Sequence, residues 1–236
     1  MKLKLEHIKK SFDEKVVLKD INFTFEKGKI YGLLGRNGAG KTTLFNCINK
    51  EIKYDEGKIE IIKNNETSKI NEDDVGFLYS TPILPEFLTG YEFIKFYMEI
   101  NEMRIDKRKS IDDYFDLMQI EEEDRNRLIK EYSHGMKNKM QMLCFFISQP
   151  EIILLDEPLT SFDVIVALEM KNLLKAMKQD HIIVFSTHIL QLAKDLCDDI
   201  VILHNGELEE LDMSALNSEE FESKIVEILK DENHHG

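Results

Sequence analysis

A chain of 236 residues is long enough for one sizeable α/β domain with a small inserted lobe. Its net charge of −14 argues against duplex nucleic acid or an anionic membrane surface as the main partner. Cys47, Cys144 and Cys197 show no metal-ligand spacing, and no segment approaches the ~18 consecutive apolar residues of a membrane span. These features predict a soluble, cytoplasmic protein with reduced core thiols, which reaches a membrane only through a partner.

The first 26 residues carry strand signals. Apolar residues alternate with polar ones over residues 3–7 and 21–25, which predicts antiparallel strands with one solvated face. We interpret His7 as a structural residue at a sheet edge. Phe12 lies in a polar loop, and two interpretations stay open: the ring stacks on a base, or it pins its loop to the sheet.

A phosphate-binding loop is predicted between a buried strand at residues 29–34 and a helix at residues 43–50. Residues 35–42 read Gly-Arg-Asn-Gly-Ala-Gly-Lys-Thr, with the required spacing of Gly, Lys and Thr. Such a loop aims backbone N–H groups at one point, where the helix N-terminus adds partial positive charge. We expect Lys41 to reach the β- and γ-phosphates and the Thr42 hydroxyl to ligate Mg²⁺. The predicted nucleotide-binding residues here are Gly35, Asn37, Gly38, Gly40, Lys41, Thr42 and Thr43.

Two further strands, a surface turn and a helical lobe are predicted in the middle of the chain. Residues 57–62 and the buried run 75–79 have strand patterns, and residues 64–68 have the composition of a surface turn. A capping box at Thr89 opens the first of two amphipathic helices in the predicted lobe, residues 84–132. The apolar stretch 83–88 at its entrance either docks a partner or packs into the interior.

Two acidic residues follow a continuous apolar run at residues 152–155. A helix capped by Ser133 precedes the run 152–155, whose unbroken hydrophobicity is typical of a central parallel strand. The carboxyl ends of such strands are where α/β sheets bind ligands. We therefore expect Asp156 to hold Mg²⁺ through its water shell and Glu157 to act as general base on the attacking water.

The last third of the chain adds a histidine at a strand end. A helix is predicted at residues 164–179, and a buried strand at 182–185 leads to His188, which we expect to touch the γ-phosphate. Strands flank Asn205-Gly206, a strong hairpin signal. Residues 212–236 have the composition of an acidic helix and tail.

In this order, the motifs resemble those of the ATP-binding-cassette ATPases over about residues 2–211. In detail the chain is similar to the stand-alone ATPase subunits of bacterial two-component exporters, and the segment 132–137, Tyr-Ser-His-Gly-Met-Lys, resembles their signature sequence. The resemblance implies an α/β P-loop NTPase fold with a mixed central sheet, an N-terminal antiparallel β subdomain and an inserted α-helical subdomain. The implied single domain spans 1–236: residues 1–83 and 133–211 form the core and β subdomain, 84–132 the helical lobe, and 212–236 a C-terminal helix and tail.

The resemblance also implies partners and roles. Such ATPases work as head-to-tail dimers that hold two ATP molecules, and they drive a membrane permease made from a separate chain at the inner face of the membrane. Ser133 and Gly135 would face the γ-phosphate bound by the partner subunit, and the loop 161–163 would cross the interface. Phe12 would stack on adenine and His188 would sense the γ-phosphate. No nucleic-acid partner is implied.

Two departures from the family pattern leave two functions open. Ser80 stands where the family usually has Gln, so its oxygen is the candidate metal ligand there, and His134 and Met136 replace the usual Gly and Gln of the signature. Serine is too short to reach both Mg²⁺ and water as Gln does. Because Lys41, Asp156, Glu157 and His188 are all present, the chain is predicted to be an Mg²⁺-dependent ATPase that powers an exporter. The alternative is that it binds ATP as the regulatory or weakly hydrolysing half of a heterodimer.

Overall fold

The computed structural model describes residues 1–103, 105, 109–158, 164–211 and 225. The predicted interface loop 161–163 and almost all of the predicted acidic tail lie outside these residues. The strands are β1 Lys2–Phe12, β2 Lys15–Glu26, β3 Ile30–Leu34, β4 Glu56–Lys63, β5 Glu66–Lys69, β6 Val75–Leu78, β7 Ile152–Asp156, β8 Ile182–Thr187, β9 Asp199–His204 and β10 Glu207–Leu211. The α-helices are α1 Lys41–Ile48, α2 Gly90–Ile100, α3 Ile111–Leu117, α4 Glu122–Arg125, α5 His134–Ser148, α6 Val164–Met177 and α7 Leu190–Leu196.

The N-terminal strands form an antiparallel sheet in the order β2-β1-β4-β5. The period-2 pattern buries Leu3 and Leu5 on one face, as predicted. The position predicted for His7 was wrong, because β1 is an inner strand of this sheet. His7 lies at a β-bulge with φ +52°, and its ring nitrogen is 2.9 Å from Asp20 Oδ1. The bulge turns this side chain out to solvent, where Asp20 satisfies it.

A second, mixed sheet has the order β10-β9-β3-β8-β7-β6, with parallel strands from β9 to β6 and β10 antiparallel at one edge. Strands β3, β7 and β8 are buried along their whole length. The interior position predicted for residues 152–155 is therefore confirmed, and this strand brings Asp156 to the carboxyl edge of the sheet. The hairpin predicted at Asn205-Gly206 is also confirmed, with positive φ at both residues.

Two strand predictions need correction. The predicted surface turn 64–68 contains only a short turn, because β5 begins at Glu66 and pairs with β4. The predicted buried strand 75–79 ends one residue early and forms the sheet edge, where only Leu78 is buried. An edge strand has one side without a neighbouring strand, so its side chains stay partly accessible.

Helices α2, α3 and α4 lie in the segment 84–132. Thr89 and Ser110 each make a complete capping box at the start of α2 and α3. The apolar stretch at the entrance of the segment divides: Leu84 and Leu88 pack against the core, whereas Ile83 is 68% and Phe87 79% exposed. Neither interpretation of this stretch therefore holds for all of it. In the described part of the chain, no helix has the length and apolar character needed to cross a membrane.

A pH-dependent stability is expected from His181, which lies just before β8 and is 4% exposed. Its Nδ1 is 2.6 Å from the carbonyl oxygen of Pro150, and burial lowers the pKa of the ring below its ordinary value. The unfolded chain therefore binds a proton more readily than the folded one near pH 6. The free energy of unfolding should fall as pH drops below about 6.5, because protons then favour the unfolded state.

Urea unfolding of the parent and of His181→Asn at pH 7.5 and 5.5 checks this. Between pH 7.5 and 5.5, His181→Asn should lose less free energy of unfolding than the parent. His204→Gln, which replaces a less buried histidine, should lose as much as the parent. An equal loss in the parent and in His181→Asn would contradict the assignment.

Candidate functional site

The glycine-rich segment 35–40 joins the end of β3 to the start of α1. Gly38 and Gly40 have φ values of +81° and +106°, which L side chains rarely adopt. A Cβ on Gly40 would also lie 2.8 Å from Val17 Cγ1. The helix begins at Lys41, two residues earlier than predicted, so the backbone N–H groups of its first turn belong to the loop itself.

Lys41 is buried beneath this loop. Its ammonium donates to the carbonyl oxygens of Gly35 at 2.7 Å and Arg36 at 3.1 Å, and it lies 3.4 Å from Glu157 Oε1. The positive charge is thus surrounded by oxygen acceptors in the protein alone. Phosphate oxygens carry negative charge and are therefore stronger acceptors for the Lys41 ammonium than these neutral carbonyl oxygens.

A hydroxyl and a carboxylate meet beside Lys41. Thr42 Oγ1 donates to Asp156 Oδ2 at 2.7 Å, and Asp156 is 4% exposed at the end of β7. Mg²⁺ prefers oxygen ligands and usually keeps several of its waters. The Thr42 hydroxyl offers one oxygen ligand and the Asp156 carboxylate can accept from such a water, so the two side chains fit Mg²⁺. Within the described ranges, no group of three or more His, Cys, Asp and Glu could hold a metal ion, so this pair carries the prediction.

Glu157 follows Asp156 and faces two basic groups. His188 Nδ1 lies 2.8 Å from one carboxylate oxygen and 3.1 Å from the other, and Lys41 is 3.4 Å away. The Glu157 side chain is 18% exposed, and its backbone φ is +51°. The strand ends of β7 and β8 thus bring a predicted base and a predicted phosphate sensor into direct contact.

A cavity of about 570 Å³ opens above these groups. It has the size of a small-molecule site. The predicted residues that line it are Phe12, Asn37, Gly38, Gly40, Lys41, Thr42, Thr43, Ser80, Asp156 and Glu157. Phe12 is 46% exposed, and the Lys10 ammonium lies 5.1 Å from its ring centroid. The ring therefore stands at the cavity with exposed surface that a flat group could cover.

Ser133 and Gly135 are not brought to this cavity. They lie at the start of α5, where Ser133 Oγ accepts the N–H of Met136 at 3.2 Å, so the predicted N-cap is confirmed. Ser133 is exposed and Gly135 partly exposed, and neither is among the described residues that line the cavity. Within one chain, two groups of predicted site residues therefore remain apart.

Ser186 is a site residue that the sequence did not reveal. Its hydroxyl donates to Asp156 Oδ1 at 2.6 Å and accepts the N–H of Glu157 at 3.0 Å. The only signal was its position two residues before His188. Its partners become visible only once β7 and β8 are paired with Asp156 opposite Ser186.

A separate groove of about 320 Å³ lies between β6, α2 and α5. Its lining includes Tyr79, Ile83, Tyr97 and Gln141. Gln141 is 7% exposed, and its Oε1 has no hydrogen-bond partner among the residues that the structure describes. Buried acceptors are seldom left unpaired in folded proteins. The groove thus combines exposed apolar surface with an acceptor that a donor could satisfy.

Comparisons of the chain with known proteins agree on one family. The chain matches the ABC transporter family over residues 18–160. It is 34% identical to an uncharacterized ABC transporter ATP-binding protein of Nostoc sp. over 83% of this chain, and it spans only 60% of that relative's length. It is 31% identical to the bacitracin transport ATP-binding protein BcrA of Enterococcus faecalis, over 91% of this chain and 70% of BcrA.

Among solved structures, the fold is similar to that of the ATP-binding cassette MJ0796, determined as a dimer in a post-hydrolysis state with ADP and Pi. The TM-score is 0.74 at 22% identity, covering 89% of this chain and 98% of the other. The predicted fold class is thereby confirmed.

Proposed function

The chain belongs to the ABC transporter family as an ATP-binding subunit, and from this premise we propose that it hydrolyses ATP with Mg²⁺ to drive a separate membrane permease, as an exporter. One observation carries the proposal: Lys41, the Thr42–Asp156 pair and Glu157 line one cavity, and His188 contacts Glu157 from behind that lining. These are the parts that phosphoryl transfer requires, because positioning and charge stabilisation supply most of its rate.

Each residue of the site has a separate role in the proposed hydrolysis. Lys41 and the loop N–H groups bind the β- and γ-phosphates, and Phe12 stacks on the base. Thr42 would bind Mg²⁺ and Asp156 would hold it through its water shell, with Ser80 nearby in the cavity lining, and the ion would neutralise phosphate charge. Water attacks the γ-phosphorus, its proton passes to the Glu157 carboxylate, and the bond between the γ-phosphorus and the ADP oxygen breaks. His188 holds the Glu157 carboxylate and contacts the γ-phosphate.

The position of Ser133 and Gly135 supports a site that two subunits complete. A helix N-terminus attracts anions, yet this one lies outside the cavity of its own chain. A second copy in head-to-tail arrangement would bring its α5 N-terminus to the γ-phosphate, and MJ0796 has been solved as a dimer. We propose that two ATP molecules lie between the paired subunits.

The permease is proposed to dock on the groove between β6, α2 and α5. Ile83 and the nearby Phe87 expose apolar surface that local packing leaves uncovered, and Gln141 offers a buried acceptor. Glu86 in the same stretch pairs with Lys137 of α5 at 2.6 Å, which ties the docking surface to the helix capped by Ser133. The relative BcrA is named as a bacitracin transport ATP-binding protein, which supports a role in export for this system.

A second function rests on Ser80. It lines the cavity where the resemblance expects Gln, and this favours an ATP-binding, weakly hydrolysing half of a heterodimer. The contact of Glu157 with both Lys41 and His188 favours the active enzyme instead. Sustained turnover by the chain without another ATPase subunit would exclude the weaker alternative.

The test is hydrolysis by the purified chain at saturating ATP. We expect phosphate release that depends on Mg²⁺, stops when EDTA removes the metal and returns when Mg²⁺ is restored. Tight ATP binding with no phosphate release, either alone or with its permease, would contradict the proposed function and leave the regulatory alternative.

A further inference from the structure

One buried hydroxyl is shared by both acidic residues of the site. Ser186 is fully buried at the carboxyl end of β8, directly opposite Asp156 in the register of β7 and β8. A serine hydroxyl has one donor and two acceptor positions. It can therefore donate to Asp156 Oδ1 and accept from Glu157 N–H at the same time, as the distances of 2.6 and 3.0 Å indicate.

The first bond fixes the Asp156 carboxylate. Its Oδ1 accepts from Ser186 and its Oδ2 accepts from Thr42 at 2.7 Å, so a hydroxyl holds each oxygen. With both oxygens held, rotation of the carboxylate about its last side-chain bond would break at least one bond in a buried place. Ser186 thus helps to fix the orientation in which the lone pairs of Asp156 point toward Thr42 and the cavity.

The second bond fixes the Glu157 backbone. Glu157 has φ +51°, in the left-handed region that few residues other than Gly and Asn adopt. Its N–H is tied to Ser186, and its carboxylate reaches His188 at 2.8 Å. A relaxed backbone at this residue would swing the carboxylate away from both His188 and Lys41.

Building on the proposed hydrolysis, we propose that Ser186 is a positioning residue, which sets Asp156 toward the cation and Glu157 toward the attacking water with one hydroxyl. It touches neither nucleotide nor water itself. Its loss should therefore change the chemical step and the Mg²⁺ requirement, while the affinity for the nucleotide without metal should stay the same.

Three variants separate this role from a general effect of a lost buried hydroxyl. Ser186→Ala removes both bonds, and Ser186→Thr keeps the hydroxyl. Ser148→Ala is the matched control for assays without permease. Ser148 is 8% exposed, its hydroxyl donates to the Cys144 carbonyl at 2.8 Å, and it lies in the groove between β6, α2 and α5 rather than at the Lys41 cavity. Each variant is assayed for kcat, KM for ATP, the Mg²⁺ concentration at half-maximal rate, melting temperature, and binding of a fluorescent ATP analogue with and without Mg²⁺.

We expect Ser186→Ala to lower kcat and raise the half-maximal Mg²⁺ concentration by about 10- to 100-fold, the range typical for residues that orient metal ligands. Binding of the analogue without Mg²⁺ should match the parent, and the gain in affinity on adding Mg²⁺ should shrink. Ser186→Thr should recover most of the lost kcat, and Ser148→Ala should behave as the parent.

Parental kcat and Mg²⁺ requirement in Ser186→Ala would overturn the inference. If Ser186→Ala is unstable, Ser186→Thr provides the test. The inference is overturned if Ser186→Thr has the parental melting temperature but a kcat as low as that of Ser186→Ala. A parent that releases no phosphate contradicts the proposed function instead. The binding assay then still tests Ser186, because an equal Mg²⁺ effect in parent and Ser186→Ala counts against it.

Discussion

Replacing Glu157 by Gln is expected to lower kcat for ATP hydrolysis by about 10²- to 10⁴-fold, the usual contribution of a general base. The amide keeps the shape of the side chain but cannot take the proton of the attacking water. The affinity for ATP should change little, because the loop around Lys41 supplies the phosphate contacts. Phosphate release at saturating Mg²⁺-ATP, together with nucleotide binding by the same preparation, measures both quantities.

Glu56→Gln is the matched control for this prediction. Glu56 lies in the antiparallel sheet, its side chain is 66% exposed, and it pairs with Lys9 at 2.6 Å. Exposed pairs of this kind contribute at most about 1 kcal/mol, so hydrolysis should be unchanged. Parental turnover by Glu157→Gln would show that another group accepts the proton.

Lys41→Ala is expected to weaken ATP binding by about 10- to 100-fold, which corresponds to the 1.5–3 kcal/mol of a hydrogen bond to a charged partner. Lys41 is the buried cation within the described loop, and its loss leaves the carbonyls of Gly35 and Arg36 facing the phosphates. Calorimetry with ATP measures the dissociation constant.

Lys2→Ala controls for the loss of a lysine, because Lys2 pairs with Glu26 at the surface and its side chain is 51% exposed. The melting temperatures of both variants show whether each is folded, and only Lys41→Ala should lose affinity for ATP. Unchanged ATP affinity in Lys41→Ala would mean that the nucleotide binds elsewhere on the chain.

Sequence patterns predicted correctly those parts of the fold that depend on a few adjacent residues. The loop at residues 35–42, the apolar run before Asp156 and the hairpin at Asn205-Gly206 each carry their geometry in a few adjacent residues. β5 was missed because its residues Glu-Thr-Ser-Lys are all exposed, and the strand exists only through pairing with β4 across the turn at Asn64 and Asn65. No hydrophobic pattern marks such a strand.

The parts of the site that depend on contacts between distant segments could not be predicted from the sequence. Asp156 and Glu157 were predicted at the carboxyl end of one strand and His188 at that of another, each beside the nucleotide. The direct contact between Glu157 and His188 follows only from the pairing of β7 with β8. The role of Ser186 depends on strand register, which the sequence does not fix to one residue. The edge position of β6 depends likewise on the order of strands in the sheet.

In the proposed dimer, ATP binds between the Lys41 loop of one chain and the α5 N-terminus of another. Glu157→Gln, which should bind ATP without consuming it, tests this by light scattering with Mg²⁺-ATP. A second variant adds Gly135→Asp, whose charge suits the first turn of a helix but repels a phosphate. Calorimetry follows ATP binding in both.

We predict that Glu157→Gln with ATP has twice the chain mass of 27.6 kDa, and that the added Gly135→Asp returns it to the mass of a single chain that still binds ATP. If ATP binds to Glu157→Gln while the mass stays at one chain, or if Gly135→Asp leaves the ATP-dependent dimer intact, the shared site does not exist.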